Sequence, residues 1–285
     1  MLLPKYAKVE LSPEYCARLL QTAHLAADAA SVPTMANFRR PVKVENKEAP
    51  GSFDPVTIAD RQAEQAIKDV VLGEFPEHGF FGEESARQLK DNQPLWVVDP
   101  IDGTRAYITG VPLWGTLIAV YDGAEVVLGM LEQPFMRERF VGIGAGTAFG
   151  NAQYMNSGSQ LITYSGTKQL STRSSVSLSQ AIMQTTSPEF FKQKKNREAF
   201  DRVEDAVSMV RFGGDCYCYA LLAMGFVDVV IETGLQPYDI AALVPIVEGA
   251  GGVISTWDGE SAASGGSVVA CGSRQLHNQV LSLLA

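Results

Sequence analysis

Side chains that commonly serve as nucleophile, proton shuttle or transition-metal ligand are scarce: the 285 residues carry four cysteines and three histidines. Cys16, Cys216, Cys218 and Cys271 are scattered, and Cys216-Tyr217-Cys218 has neither the spacing nor the partners of a zinc site. Reduced, mostly buried thiols are expected. His24, His78 and His277 lie far apart with no helical metal pair, so they read as satisfied or exposed residues. No apolar run reaches transmembrane length, and Met1-Leu2-Leu3-Pro4-Lys5 is not a charged leader ahead of a long apolar core. A soluble, unsecreted, cytoplasmic protein with no membrane partner is expected. Positive charge is short too: the formal charge of −9 disfavours a broad nucleic-acid or anionic-lipid surface. Any phosphate must then be drawn in by a local cation.

What is present is ordinarily globular, 46% hydrophobic and 19% charged, with length for one large or two modest domains. The chain is organised around Leu95-Trp96-Val97-Val98-Asp99-Pro100-Ile101-Asp102-Gly103-Thr104. An apolar run of strand formers meets Pro100, which cannot donate to a sheet ladder, so the strand is expected to end at Asp99 and fold over. Two carboxylates then share one small volume, and they stay ionised together only with cations between them. Hard oxygen ligands suit Mg²⁺, which keeps positions for water and substrate phosphate. Gly103 lets the backbone approach an anion, and Thr104 offers an N–H and a hydroxyl. These are also common turn residues, so a turn-only role is the alternative. Haloacid-dehalogenase-type phosphatases likewise end a motif in Asp-Gly-Thr, but their two aspartates are two apart and project the same way from a strand. The separation of three, with a proline between, argues against that chemistry.

Around this stretch, Ser12-Pro13-Glu14 starts a helix expected to end before Pro33. Lys43 to Pro50 reads as a short strand and mixed-charge loop, in which Lys47 could reach a phosphate or simply be solvated. Thr57 opens a second helix to about Phe75, with Asp60 a capping partner unless the fold gives it more to do. Glu83 follows an aromatic pair as a ligand candidate or a solvated surface acid. Residues 114–120, an Asp122-Gly123 turn, 126–131 and 139–143 form an antiparallel meander. The Ser, Gly and Thr-rich stretch 153–179 is featureless and holds a loose boundary, dividing an N-terminal α+β part, 1–155, from a C-terminal α/β part, 156–285. The second half alternates: strands at 181–186, 209–212, 227–232, 253–255 and 268–271, and helices from Ser187, after Gly213-Gly214-Asp215, from Pro237 to about Glu248, and at the end. Asp239 stands at a helix N-terminus, where the dipole favours a carboxylate with or without a metal.

Gly82-Glu83-Glu84-Ser85, the run from Trp96 to Thr104 and Pro237-Tyr238-Asp239-Ile240-Ala241-Ala242 together resemble the inositol monophosphatase family of Mg²⁺-dependent, lithium-sensitive phosphatases, in order and separation and over nearly the whole chain. One departure is Tyr238, where members often have Trp, a change bearing more on packing than on ligation. The resemblance implies a layered α-β-α-β-α sugar-phosphatase fold, commonly homodimeric. It implies two or three Mg²⁺ ions held by Glu83, Asp99, Asp102, Asp239 and the Ile101 carbonyl, with Asp60 close by holding metal-bound water. Gly103 and Thr104 would bind phosphate through backbone N–H groups, and the Thr104 hydroxyl and Glu83 would orient the water attacking in line.

The longer runs from Asp99 to Thr116 and from Gly213 to Leu222 look most like the histidinol-phosphate phosphatase branch. Histidinol phosphate carries an ammonium and an imidazole beside its phosphate, so its pocket needs acids not consumed by metal. Asp215 and Glu232 are the candidates, although Asp215 could merely cap its helix. Inositol-1-phosphate, whose hydroxyls could donate to the same acids, is the alternative substrate. A different class is a binding protein on this scaffold, as in bacterial relatives that act in RNA-polymerase complexes; a complete ligand set and an acidic chain argue against it.

Overall fold

The computed structural model describes residues 2–41, 43–46, 55–145 and 158–285. Lys47 and the boundary expected near residue 155 fall outside them. Five layers build the fold, α-β-α-β-α, as expected. The outermost layer is a helix pair, α1 (Pro13–Asn37) and α2 (Ile58–Glu74); a two-stranded ribbon of β1 (Glu45–Asn46) and β2 (Pro55–Val56) falls between them in the chain. α1 runs past Pro33, contrary to expectation. Pro33 withholds only the one donor that Ala29 O would take, and side chains add bonds to the carbonyls on either side: Ser31 Oγ donates to Ala27 O, Thr34 Oγ1 to Ala30 O and Asn37 Nδ2 to Pro33 O. The alanine-rich face of α1 meanwhile keeps its packing on the sheet beneath.

That sheet has seven strands in sequential order: β3 (Gly79–Gly82), β4 (Leu95–Asp102), β5 (Gly115–Tyr121), β6 (Val126–Gln133), β7 (Glu138–Ile143), β8 (Ser159–Thr163) and β9 (Gly166–Gln169). β3 and β4 are parallel and the rest antiparallel. β8 and β9 lie in the stretch read as featureless: they are short and polar, and β9 is exposed at the sheet edge, so no apolar alternation announces them. The central strands are buried on both faces. Trp96, Val98, Ile118, Val120, Met130 and Val141 face α1 and α2, while Leu95, Val97, Leu117, Ala119, Leu131 and Phe140 face a middle helical layer.

The middle layer holds α5 (Tyr217–Ala223), α6 (Pro237–Ile240) and α7 (Leu243–Gly249). The single helix expected from Pro237 breaks at Ala241-Ala242. Behind it lies a mixed sheet of β10 (Ile182–Thr185), β11 (Met209–Phe212), β12 (Val229–Leu235), β13 (Val253–Thr256) and β14 (Gly266–Cys271), ordered β11-β10-β12-β14-β13. Only β11, β10 and β12 are parallel; β14 and β13 run antiparallel. Val230, Val268 and Ala270 face the middle helices. Val229, Ile231, Val269 and Cys271 face the last layer, α4 (Lys194–Glu204) and α8 (Arg274–Leu284). The helix expected from Ser187 is a 3₁₀ turn, Pro188–Phe190, and α4 starts six residues after Pro188. One apolar cluster spans both sheets through the middle helices, so the two halves share a core. No described helix is long and apolar enough to cross a membrane.

Candidate active site

β4 does not end at Asp99; it continues to Asp102 through a bulge. Asp99 pairs with Leu117 and Asp102 with Gly115, so Pro100 and Ile101 oppose Thr116 alone, whose hydroxyl donates to Pro100 O at 2.8 Å. This resolves the spacing puzzle. In a regular strand residues three apart face opposite ways, and the extra residue restores parity, turning Asp102 to the same side as Asp99. That side faces the middle layer, where α6 brings Asp239. One carboxylate oxygen each from Asp99, Asp102 and Asp239 lie within 4.8 Å of one another.

Each of these acids is held. Asp99 Oδ1 accepts from Ile101 N at 2.9 Å, Asp102 Oδ2 from Cys216 N at 2.6 Å, and Asp239 Oδ2 from Gln236 N at 2.6 Å. Burial raises the pKa of all three, and in Asp99 the neighbouring Glu83, Asp102 and Asp239 raise it further. Clustered oxygen ligands, one buried and two half-buried, whose own charges resist ionisation fit a hard divalent cation. Glu83, directly after β3, hydrogen-bonds Asp99 and lines the same cleft. The Ile101 carbonyl accepts from the Thr104 hydroxyl at 3.1 Å, while its side chain is buried among Phe38, Tyr107 and Trp114. Asp60 behaves as a cap: its Oδ2 accepts from Thr57 N at 2.8 Å and Thr57 Oγ1 at 2.6 Å, and it does not line the cleft. It sits just beneath, since its neighbour Ala59 packs on Ile101.

Gly103 has φ +84°, the left-handed region that lets the chain turn from β4 into a short helix, α3 (Thr104–Ile108). A Cβ on Gly103 would lie 3.1 Å from both Asp215 Cβ and Leu113 O. The β4 turn and the Asp215 loop are therefore packed backbone to side chain. Beyond them opens a cleft of about 580 Å³, lined by all the expected ligands, Gly103, Thr104, Asp215 and Glu232. Burial, with the nearby Asp102, raises Asp215 to about 7 against the lowering effect of Arg105. Burial raises Glu232 to about 8, although it accepts from Thr186 N at 2.6 Å and Thr186 Oγ1 at 2.9 Å. Sequence reasoning missed Thr186, Phe190 and Lys192, which come to the cleft only through the second sheet. It also passed over Arg105, next to the motif, whose guanidinium lies 5.1 Å from the Phe190 ring centre. Among the described residues, Arg105 and Lys192 are the basic residues that line the cleft, local cations of the kind a chain of charge −9 requires.

The model of the inositol monophosphatase family matches residues 17–285. The chain belongs to that family. It is 39% identical to an Arabidopsis thaliana protein named bifunctional phosphatase IMPL2, chloroplastic, over 96% of this chain and 77% of the relative. It is 32% identical to a histidinol-phosphatase of Chlorobaculum parvum, over 93% and 96%. A solved inositol monophosphatase from Zymomonas mobilis superposes with a TM-score of 0.78 at 39% identity, over 94% of this chain and 97% of that one. Membership makes this protein a phosphomonoester hydrolase of a metal-dependent family, and the acid triad is where this chain's donor set fits the metal. In place of the family's frequent Trp it has Tyr238, whose ring packs edge-on to Phe81 at 5.8 Å.

Proposed function

We propose that the protein hydrolyses L-histidinol phosphate to L-histidinol and phosphate, with Mg²⁺ at the Asp99, Asp102, Asp239 cluster and Glu83. The observation that carries this is Asp215 and Glu232 in the same cleft as the triad yet outside it. A substrate with an ammonium and an imidazole supplies the positive charge that half-buried Asp215 and buried Glu232 lack, and its arrival favours their ionised forms. Residues 1–155 would contribute Glu83, Asp99, Asp102 and the phosphate-binding turn, and 156–285 would complete the site with Asp239 and the substrate acids.

When bound, Mg²⁺ supplies neutralisation of phosphate charge, acidification of the attacking water and stabilisation of the leaving oxygen. The chain's own residues do the rest. Backbone N–H groups of Gly103 and Thr104 hold phosphate oxygens. The Thr104 hydroxyl donates its proton to Ile101 O, so toward the cleft it presents lone pairs that orient a water O–H. The Glu83 carboxylate accepts the water proton as the new P–O bond forms, and the ester P–O bond opposite breaks, the leaving oxygen taking a proton from solvent water to depart as the alcohol.

Phosphate release from histidinol phosphate and inositol-1-phosphate, measured side by side with Mg²⁺, tests the substrate. A kcat/KM at least ~10-fold higher for histidinol phosphate is expected, and Asp215→Asn should raise KM for it by a similar factor, the worth of one charged hydrogen bond. Preference for inositol-1-phosphate, with Asp215→Asn neutral for both, refutes the assignment and leaves the metal site standing.

A further inference from the structure

Glu64 has no part in the site as described, yet it is 3% exposed on α2, one turn after Asp60, although an acid in the body of a helix ordinarily faces water. Its Oε2 accepts from Glu84 N at 2.7 Å. The peptide before it is tied as well: Glu83 N donates to Val98 O at 3.2 Å, one residue ahead of Asp99. The two amides flanking the Glu83 α-carbon are thus pinned, one to β4 and one to α2. Gly82 completes the arrangement, because a Cβ there would collide with all three atoms of the Glu64 carboxylate. Glu64 fills the space that a side chain at 82 would take.

Building on the reading of Glu83 as metal ligand and proton acceptor, we infer that Glu64 is a positioning residue, setting the backbone direction from which Glu83 enters the cleft. The capping box at Thr57 fixes where α2 begins and so where Glu64 stands along it. The chain uses a buried carboxylate rather than apolar packing because the Glu84 amide, leaving the sheet, needs an acceptor.

The test is Mg²⁺ binding by calorimetry, with kcat measured alongside, in Glu64→Ala, Glu64→Gln, Gly82→Ala, the Glu64→Ala/Gly82→Ala pair and Glu83→Gln. Glu64→Ala should weaken Mg²⁺ binding and lower kcat by about 10–100-fold, the usual effect of removing a residue that orients a ligand. Glu64→Gln keeps an acceptor oxygen and should stay within about threefold of the parent. Gly82→Ala should be impaired alone, and in the double variant should add nothing to Glu64→Ala, since the collision is gone. Normal Mg²⁺ binding in Glu64→Ala, equal loss in Glu64→Ala and Glu64→Gln, or additive losses in the pair would each overturn the inference. Should Glu64→Ala not fold, the comparison of Gly82→Ala with Glu64→Gln decides: both unimpaired, or both equally impaired, overturns it. Glu83→Gln separates the two claims, because parental metal binding and turnover there would mean that the reading of Glu83 itself had failed.

Discussion

Replacing Asp99 by Asn should stabilise the metal-free protein while abolishing its response to Mg²⁺. Asp99 is 2% exposed and shares with Asp102 and Asp239 a volume in which their oxygens lie within 4.8 Å. Coulomb's law at an effective dielectric of about 20 puts the repulsion of one fully ionised pair at that distance near 3.5 kcal/mol. The raised pKa values mean that shared protons already relieve part of this, leaving about 1–3 kcal/mol to be recovered by the neutral amide. Asn keeps the bond from Ile101 N, because the accepting atom is Oδ1 in both residues. In EDTA the variant should therefore melt above the parent by roughly 2–8 °C. With Mg²⁺ at about a hundred times its dissociation constant the parent gains about 2.7 kcal/mol, and the variant gains little. The metal therefore closes the gap between the two melting points, or inverts it where the relief is below about 2.7 kcal/mol. The pH dependence carries the same sign: burial and like charge raise Asp99, Asp102 and Asp239, and lift Asp215 to about 7 and Glu232 to about 8. Between about pH 4 and 8 the folded protein holds protons that the unfolded chain has released, so stability in EDTA falls as pH rises through that window. The slope should be shallower in Asp99→Asn. Differential scanning calorimetry in EDTA and in Mg²⁺ reads all of this, and a variant that melts below the parent in EDTA, or gains as much from Mg²⁺, refutes the reasoning.

Gly103→Ala should lose about 1–3 kcal/mol, from the left-handed backbone at φ +84° and the crowding against Asp215 and Leu113, with a fall in kcat as the turn shifts; urea melts and turnover check it. Gly103→Asn tolerates that backbone better, so equal losses in the two variants would assign the cost to crowding alone. His78, which accepts from Trp96 Nε1 at 2.9 Å, contacts the Tyr15 hydroxyl at 2.5 Å and stacks on Phe75, is lowered by burial to about 4. In saturating Mg²⁺ its neutral form should support stability fully above about pH 6.5, with up to about 3 kcal/mol lost as pH falls toward 4. His78→Gln should flatten that acid limb, and an unchanged limb would place the sensitive group elsewhere.

Where the chain was legible, the determining contacts were local. Thr57 and Asp60 close a capping box within one turn, and the apolar run from Leu95 reads as a buried strand without knowledge of its neighbours. Misreadings came where a distant partner overrode a local rule. Pro33 ought to end α1, but the hydroxyls of Ser31 and Thr34 and the Asn37 amide take up carbonyls around it, and the last turns are needed to carry Thr34, whose carbonyl accepts from Tyr107 at 2.7 Å beneath the site. Pro100 ought to end β4, but the Thr116 hydroxyl and the one-residue offset against β5 turn that break into a bulge.

The bulge shows why the site was only half visible. Asp99 and Asp102 announce themselves as acids at the end of an apolar run, but three residues apart in a regular strand they would point away from each other. Their convergence is a property of the β4–β5 pairing. Glu64 is the complementary case, an acid with no local signal whose partner is the amide of Glu84 twenty residues on. Sequence spacing can nominate ligands, because carboxylates are few and conspicuous among apolar residues. Their geometry comes from strand register, helix start and the absence of a side chain at Gly82, none of which the acids themselves reveal. Variants that remove the Thr116 hydroxyl, add a side chain at Gly82 or remove the Glu64 acceptor should therefore damage the site although they leave every acid ligand in place.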